Sequence, residues 1–169
     1  QLIFEEKSEA FTVGIDLSSD DKYFFITTSD HNTSEQYYFD ANEKNPQPKL
    51  IMKRKKGILY SINSWDRKFY NHTNEDAEDF KIDVTGSLEK QNWKPFIAAK
   101  EEVLIGGLTF LNNWIIRSET SDALDKLFVK NIQTGIEEQL IFSDENVYVP
   151  EASLVQRDKN TDEIYLGYS

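Results

Sequence analysis

Apolar and polar residues alternate with a period of two over short stretches of this chain, and the stretches themselves recur. Lys22-Tyr23-Phe24-Phe25-Ile26, Lys68-Phe69-Tyr70 and Trp114-Ile115-Ile116 open apolar runs whose first residues stand 46 apart, and Glu163-Ile164-Tyr165-Leu166 begins 49 residues after the third. A polar, turn-rich stretch follows each of the first three: Thr27 to Glu35, His72 to Asp79, and Ser118 to Lys126. Then come the alternating runs Gln36 to Asp40, Phe80 to Val84 and Leu127 to Ile132. Each unit closes on a further run, at Lys49 to Met52, Lys94 to Ile97 and Gln139 to Phe142, and Leu2-Ile3-Phe4 reads as the same closing element of a preceding, truncated unit. The opening strands are Val13 to Leu17, Ile58 to Ile62, Val103 to Phe110 and Val147 to Val155.

Period-two alternation rich in β-branched and aromatic residues describes a half-buried strand. Four short strands in each unit of about 46 residues is the size of a propeller blade. The expected fold is therefore all-β: a partial β-propeller of four-stranded antiparallel blades, about three and a half blades long. The expected divisions are 1–10 (end of a preceding blade), 11–56, 57–101 and 102–145 (blades), and 146–169 (an incomplete blade). A β-sandwich also repeats short strands, but nothing in its architecture holds four-strand units at constant spacing. Helical solenoids are excluded because the apolar positions alternate by two. A lone blade leaves both sheet faces uncovered, so stability accumulates from blade-on-blade contact. Phe24, Phe25, Phe69, Tyr70 and Trp114, on the second strands, are expected to fill those contacts. Pro95 has no N–H to donate, which suits an outermost strand.

Composition then narrows the class. With 38% hydrophobic and 29% charged residues, and 11 Phe, 8 Tyr and 3 Trp, the chain has the core material of an ordinary soluble domain. No apolar run is long enough to span a bilayer. Gln1 to Glu9 lacks the basic and apolar segments of a secretory signal, and the missing initiator Met reads as excision from something longer. Absence of cysteine removes disulfides, thiolate ligands and a cysteine nucleophile, and it favours a reducing compartment while being compatible with any location. Asn32-Thr33-Ser34 and Asn71-His72-Thr73 match the loose glycosylation triplet. A net charge of −11 argues against nucleic acid as a partner and favours either plain solubility or attraction of cationic ligands. Against it stands a cluster of five cations, Lys49, Lys53, Arg54, Lys55 and Lys56. It reads as an anion-binding patch or as gatekeeping of an exposed sheet edge.

Catalytic motifs are not found. The Gly-x-Ser-x-Gly turn of a serine hydrolase is missing, since Gly86-Ser87 continues as Leu88-Glu89. His31 and His72 read as exposed turn residues. Asp158-Lys159-Asn160-Thr161-Asp162 imitates a calcium loop, but Glu163 replaces the required glycine and Ser169 the bidentate glutamate, so a hairpin turn is expected. Gly106-Gly107 is too short to cradle phosphates, and Asn131 to Gly135 reads as a turn. The densest acidic cluster is Glu75, Asp76, Glu78 and Asp79; it either rings an opening and steers peptides, or is a solvated loop. No catalytic residue, cofactor or metal ligand is assigned.

Several ordered stretches resemble a known family. Leu2 to Lys7, Ser18 to Ile26, Thr33 to Glu35, Thr73 to Lys81, Trp93 to Ile97, Arg117 to Glu119 and Val129 to Gly135 resemble the propeller domain of oligopeptidase B (protease II), in the prolyl oligopeptidase family of serine peptidases. The likeness covers nearly the whole chain and lies in the ordered series, not in any one motif. It implies a propeller that covers an α/β-hydrolase domain and restricts entry to small peptides, basic ones in this branch. The Ser-Asp-His triad would lie in that hydrolase domain, absent from this chain, so the chain alone is expected to be inactive. A free-standing propeller scaffold is the alternative. Uncovered blade faces at either end of the piece are expected to promote self-association.

Overall fold

The computed structural model describes residues 2–141, 150–154 and 160–167, and all their regular structure is β. By contacts the chain divides into two compact units, Gln1–Ala98 and Ala99–Ser169. The first unit carries β1 (Thr12–Leu17), β2 (Tyr23–Ser29), β3 (Ser34–Asp40) and β4 (Lys49–Met52), then β5 (Tyr60–Trp65), β6 (Lys68–Thr73), β7 (Lys81–Thr85) and β8 (Lys94–Ile97). The second carries β9 (Leu104–Phe110), β10 (Trp114–Ser121), β11 (Leu124–Asn131) and β12 (Glu137–Gln139), followed by the hairpin of β13 (Glu151–Leu154) and β14 (Ile164–Gly167). Three four-stranded sheets, β1–β4, β5–β8 and β9–β12, are antiparallel meanders in which only consecutive strands pair. Among the described residues no strand crosses between sheets as it does in a Greek-key sandwich. These are propeller blades, and the fold is a partial β-propeller.

Residues directly opposite in an antiparallel ladder share a face. The pairs Phe25–Tyr38 and Thr27–Gln36 therefore point from β1–β4 toward β5–β8, and Ile62–Asn71 and Ser64–Phe69 point back. Between them lies one apolar cluster of Phe25, Tyr38, Ile51, Tyr60, Ile62, Phe69 and Leu88, closed by Tyr23, Met52 and Trp93. The centroids of Tyr23 and Phe69 are 5.2 Å apart, an edge-biased aromatic contact across the two blades.

Stacking alone does not satisfy the free edge of β5, where the N–H groups of Tyr60 and Ile62 have no strand partner. Side chains on the shared-interface face of β3 do it. Ser34 Oγ accepts from Tyr60 N at 2.6 Å and donates to the Tyr60 carbonyl at 2.8 Å, while Gln36 Oε1 accepts from Ile62 N at 2.8 Å. In return the Tyr60 hydroxyl accepts from Gln36 N and donates to the Met52 carbonyl, each at 2.7 Å. Burial pushes that phenol up to about 12, the cost of leaving water being met by these two bonds.

A second set of bonds joins the turn after β1 to β5. Ser19 N donates to Asn63 Oδ1 and Asn63 Nδ2 to Ser19 Oγ, while buried Asp20 accepts from Ser18 and Ser64 hydroxyls at 2.8 and 2.9 Å. The second unit repeats the device. In the turn after β9, Asn112 N donates to the Thr161 carbonyl at 2.9 Å, and Asn113 donates to the Asp162 carboxylate at 2.8 and 2.6 Å. Leu111, Ile116 and Leu127 form the core beneath, with Trp114, Val129, Leu140 and Ile164 against it.

The structure corrects several expectations. Phe24 and Tyr70 stand 46 residues apart, yet Phe24 stacks on Phe39 on the face of β1–β4 turned away from β5–β8, and Tyr70 packs on Phe96 on the far face of β5–β8. A one-residue register offset reverses a strand's faces, so Phe25 and Phe69 fill the contact between β1–β4 and β5–β8, while Phe24 and Tyr70 lie on the opposite faces of their blades, where the expectation is not tested. Ser118 to Lys126 is mostly strand. Only Asp122 and Ala123, at φ 53° and 58°, turn, because the polar side chains bond across the hairpin (Thr120 to Asp125, Lys126 to Ser121). The third opening strand starts close to its expected place, but β5 starts at Tyr60, not Ile58, since Ile58 and Leu59 bond to Ser34 and Asn74 instead. His72 lies within β6, stacked on Phe80 at 4.6 Å, while His31 is in an exposed turn. Leu2 to Phe4 pairs with no strand; Phe4 packs on Tyr37 at 4.7 Å instead. Gly106 and Gly107 lie inside β9 opposite Ser118, where the register shifts and a Cβ on Gly106 would lie 2.0 Å from the Ser118 hydroxyl. β12 sits one step before the apolar run Gln139 to Phe142. Phe142, Val147 to Val149, Val155 and the turn residues Asp158 and Lys159 lie outside the described residues.

Pro95 does fall on the outermost strand, β8, and Asn131 to Gly135 is a turn in which Asn131 Oδ1 accepts from Gln133 and Thr134 N–H and Gly135 has φ 72°. Gln36→Leu, which keeps the bulk but orphans the Ile62 N–H, should destabilise the fold by about 1–3 kcal/mol in urea unfolding, and Tyr60→Phe by about 1–2 kcal/mol. Unchanged midpoints in both variants would remove the edge-capping role.

Candidate functional site

The acidic turn joins β6 to β7. Asn74 holds it to the connection between β4 and β5: its Oδ1 accepts from Leu59 N at 2.8 Å and its Nδ2 donates to the Gly57 carbonyl at 3.0 Å. Within the turn, Ala77 N bonds the Asn74 carbonyl and Phe80 N the Ala77 carbonyl, with Asp76 and Phe80 at φ 54° and 68°. Buried Ala77 directs the carboxylates outward: Asp76 and Glu78 are exposed, Glu75 and Asp79 partly so.

The basic cluster proves to be the neighbour of this turn. Only Lys49 lies on outer strand β4, and Lys53 to Lys56 follow it into the connection. Lys49 pairs with Glu89 at 3.0 Å and Lys55 with Glu75 at 3.2 Å, both in solvent, where such pairs contribute little. Edge protection is thus confined to one lysine, and one of the four predicted steering carboxylates carries a counter-ion. The turn between β2 and β3 lies at the same end: Asp30 Oδ1 accepts from Asn32 and Thr33 N–H at 2.9 and 2.7 Å, and Thr33 Oγ1 accepts from Gly57 N. The backbone N–H of Asn32, more than burial can offset, holds the Asp30 carboxyl below its usual range.

Sequence reading placed Arg54 with the surface lysines and missed its role. Its side chain is 29% exposed and its Nη2 meets Glu6 at 2.5 Å and Glu35 at 3.1 Å, with the guanidinium 4.1 Å over the Phe11 ring. The Arg54 guanidinium holds the Glu6 carboxyl low. Burial works to raise Glu35, but the Arg54 backbone N–H, its guanidinium and the Tyr37 hydroxyl together outweigh it and hold that carboxyl low as well. The second unit has a comparable centre. Buried Arg117 pairs with Glu119 and, at 2.7 Å, with Glu137, and lies 4.4 Å over Phe128; Lys100 reaches Glu119 at 2.5 Å. Arg54 meets partners 48 and 19 residues away, which no local spacing marks, whereas Arg117 has Glu119 two residues on along β10, the same-face spacing of a strand, and Glu137 on β12.

Among the described residues no group of three His, Cys, Asp or Glu side chains is placed to hold a metal. No described helix is long and apolar enough to cross a membrane. Asn71 is buried on β6, facing β1–β4, so its glycosylation triplet is inaccessible in the folded chain.

Successive four-stranded antiparallel meanders, with the free edge of β5 capped from β3, define the class as a β-propeller domain. The chain belongs to the family described as "Prolyl oligopeptidase, N-terminal beta-propeller domain", whose profile matches residues 1–169. It is 35% identical to Protease 2 of Moraxella lacunata over 82 residues, which is 48% of this chain and 12% of that protein. It is 26% identical to dipeptidyl aminopeptidase BI of Pseudoxanthomonas mexicana over 150 residues, 87% of this chain and 20% of that protein. The chain thus spans a fifth or less of the length of these relatives. In fold it is similar to oligopeptidase B from Trypanosoma brucei, solved in a closed form with covalently bound antipain, at a TM-score of 0.85 and 22% identity, covering 99% of this chain and 25% of that one. Oligopeptidase B from Leishmania major gives a TM-score of 0.82 at 15% identity, over 99% and 25%.

Arg54→Met leaves two carboxylates unpaired and should cost about 2–4 kcal/mol at neutral pH. Both carboxyls are held low in the folded state, so their contribution is present above the ordinary carboxylate range and lost as pH falls through their depressed values. The gap between variant and parent, measured by urea unfolding, should therefore narrow below about pH 4. A gap that stays constant from neutral pH to acid would show that the ion pairs contribute nothing.

Proposed function

We propose that this chain is the non-catalytic propeller portion of a serine oligopeptidase, gating the access of small peptides to a separate α/β-hydrolase domain of the same polypeptide. The observation that carries this reading is the full-length match to the N-terminal propeller family, joined to relatives that are named peptidases and are several times longer. The physical task is exclusion by size together with electrostatic bias. On this reading the blades are residues 11–56, 57–101 and 102–145, with 146–169 incomplete. The parent enzyme works in the cytoplasm, in keeping with a chain free of cysteine. Exposed Val13 and Ile15 on β1 supply an apolar strip through which isolated copies associate.

Glu75, Asp76, Glu78 and Asp79 are the steering groups, and the peptides they favour are basic. A net charge of −11 over the chain works in the same direction. Neutralising all four (E75Q, D76N, E78Q, D79N) in the complete polypeptide should lower kcat/KM for a basic peptide by about 2–10-fold at low salt and leave a neutral peptide unaffected. The difference should vanish near physiological or higher ionic strength, where screening acts within about 8 Å. A loss equal for both peptides, or one indifferent to salt, would rule out steering. The chain by itself should hydrolyse no peptide; turnover by the purified chain would contradict the division of labour. A coding sequence that continued into further blades with no hydrolase would favour an interaction scaffold instead.

A further inference from the structure

The contact between β1–β4 and β5–β8 opens into a cavity of about 320 Å³ at the end opposite the Glu75 to Asp79 loop. Every residue lining it belongs to the first unit, so both walls are set by ladders within that unit. Tyr23 stands opposite Asp40, and Tyr38 opposite Lys49, so these four side chains share the face of β1–β4 turned toward β5–β8. Buried Phe69 meets them from β6, its centroid 5.2 Å from that of Tyr23, and Tyr23 and Tyr38 pack edge-on at 6.1 Å. Charge around this aromatic wall is unbalanced: the lining contains Asp40, Glu43 and Glu89 against Lys49. Burial above all, then the charges of Asp20 and Asp40, push the Tyr23 phenol up, so the Asp40 carboxylate acts on that ring at close range. Lys49 already shows what the wall holds. Its Nζ lies 6.0 Å over the Tyr38 ring and 3.0 Å from Glu89, across the blade contact. A ring face beside a carboxylate is a setting that attracts an ammonium ion. The Lys49 and Glu89 side chains are 62% and 69% exposed, so their bond contributes little and yields readily to a competitor.

We infer that this cavity is a binding site for an alkyl ammonium ion, a primary amine on a short apolar stem. Its ammonium takes the place of Lys49 between Glu89 and the Tyr38 ring, its stem lies against Tyr23 and Phe69, and Asp40 receives a second charge at the rim. The volume lies in the range of small-ligand sites. An anion is disfavoured there by three acidic residues against one basic one. The inference rests on residues 23–89 alone and is independent of the peptidase reading.

An NMR chemical-shift titration of this chain at low salt tests it, with diaminopentane, Nα-acetyl-lysine amide and the uncharged Nα-acetyl-norleucine amide as probes. Both ammonium probes should give saturable shifts centred on Tyr23, Tyr38 and Phe69, and the norleucine probe none. A tighter diamine identifies a free amine as the ligand, and a tighter lysine amide identifies a peptide side chain. Two variants move binding in opposite directions. Lys49→Met removes the competing ammonium and should tighten binding about 3–10-fold. Asp40→Asn with Glu89→Gln should weaken it at least about tenfold, the loss expected when charge-assisted contacts disappear. All three positions are exposed, and Asn at position 40 keeps an acceptor for the Asn42 N–H, so thermal unfolding of both variants should match the parent. A norleucine probe that binds as well as the charged ones, or shifts centred on the Glu75 to Asp79 loop, would overturn the assignment. So would the lack of saturable binding, a Lys49→Met variant that binds no better than the parent, or a doubly neutralised variant that binds as well.

Discussion

An antiparallel meander leaves its first strand with one unpaired backbone edge, and in a stack of such sheets that edge lies where water is scarce. The problem is solved here by the neighbouring blade. Ser34 and Gln36 on β3 present oxygens to the Tyr60 and Ile62 N–H groups of β5, and Tyr60 returns its hydroxyl to the backbone of the first blade. Both Ser34 and Gln36 are buried, and buried polar groups are tolerated only when paired. The same residues that make the blade contact polar also fix its register, since a slide of one residue would orphan donors on both sides. The aromatic cluster of Phe25, Tyr38 and Phe69 then packs around a geometry already specified by hydrogen bonds.

The blade contact is fastened again at its other end by the turn after the first strand. Ser19 and Asp20 reach Asn63 and Ser64 in the first unit; Asn112 and Asn113 reach Thr161 and Asp162 in the second. Different side chains perform one task, so the repeat is one of position, not of residue identity. This leaves the turns at the opposite end free to vary in charge. It is there that the Glu75 to Asp79 loop and the lysines after β4 sit together, tied by Asn74 and not by their own charges. An acidic loop with basic neighbours stores little energy in any single exposed pair.

Arg54 and Arg117 illustrate how charge is used inside the blades. Each guanidinium sits over a phenylalanine ring and takes two carboxylates, Glu6 and Glu35 for Arg54, and Glu119 on the same strand with Glu137 on β12 for Arg117, so neither the cation nor the acids are left alone in a low-dielectric setting. Arg54 also secures residues 4–11 through Glu6 and Phe11, covering part of the face on which Val13 and Ile15 stay exposed.

The strand pattern and the blade-sized repeat were legible in the sequence, because side-chain alternation follows from backbone geometry and survives substitution. β4 and β8 begin and end where the apolar runs do, and Pro95 marked an outer strand by chemistry no fold can override. Which face each residue took was not legible. Phe24 and Phe25 are alike in sequence, and only the ladder with β3 sends one into the blade contact and the other away from it. The polar stretch from Ser118 to Lys126 looked like a turn, since polarity alone does not distinguish water from a cross-strand partner. Arg54 differed from its lysine neighbours only once Glu6 and Glu35, 48 and 19 residues away, were brought beside it. Local periodicity is set by each residue and its neighbours; facing, pairing and charge compensation belong to residues that meet only when the sheets do.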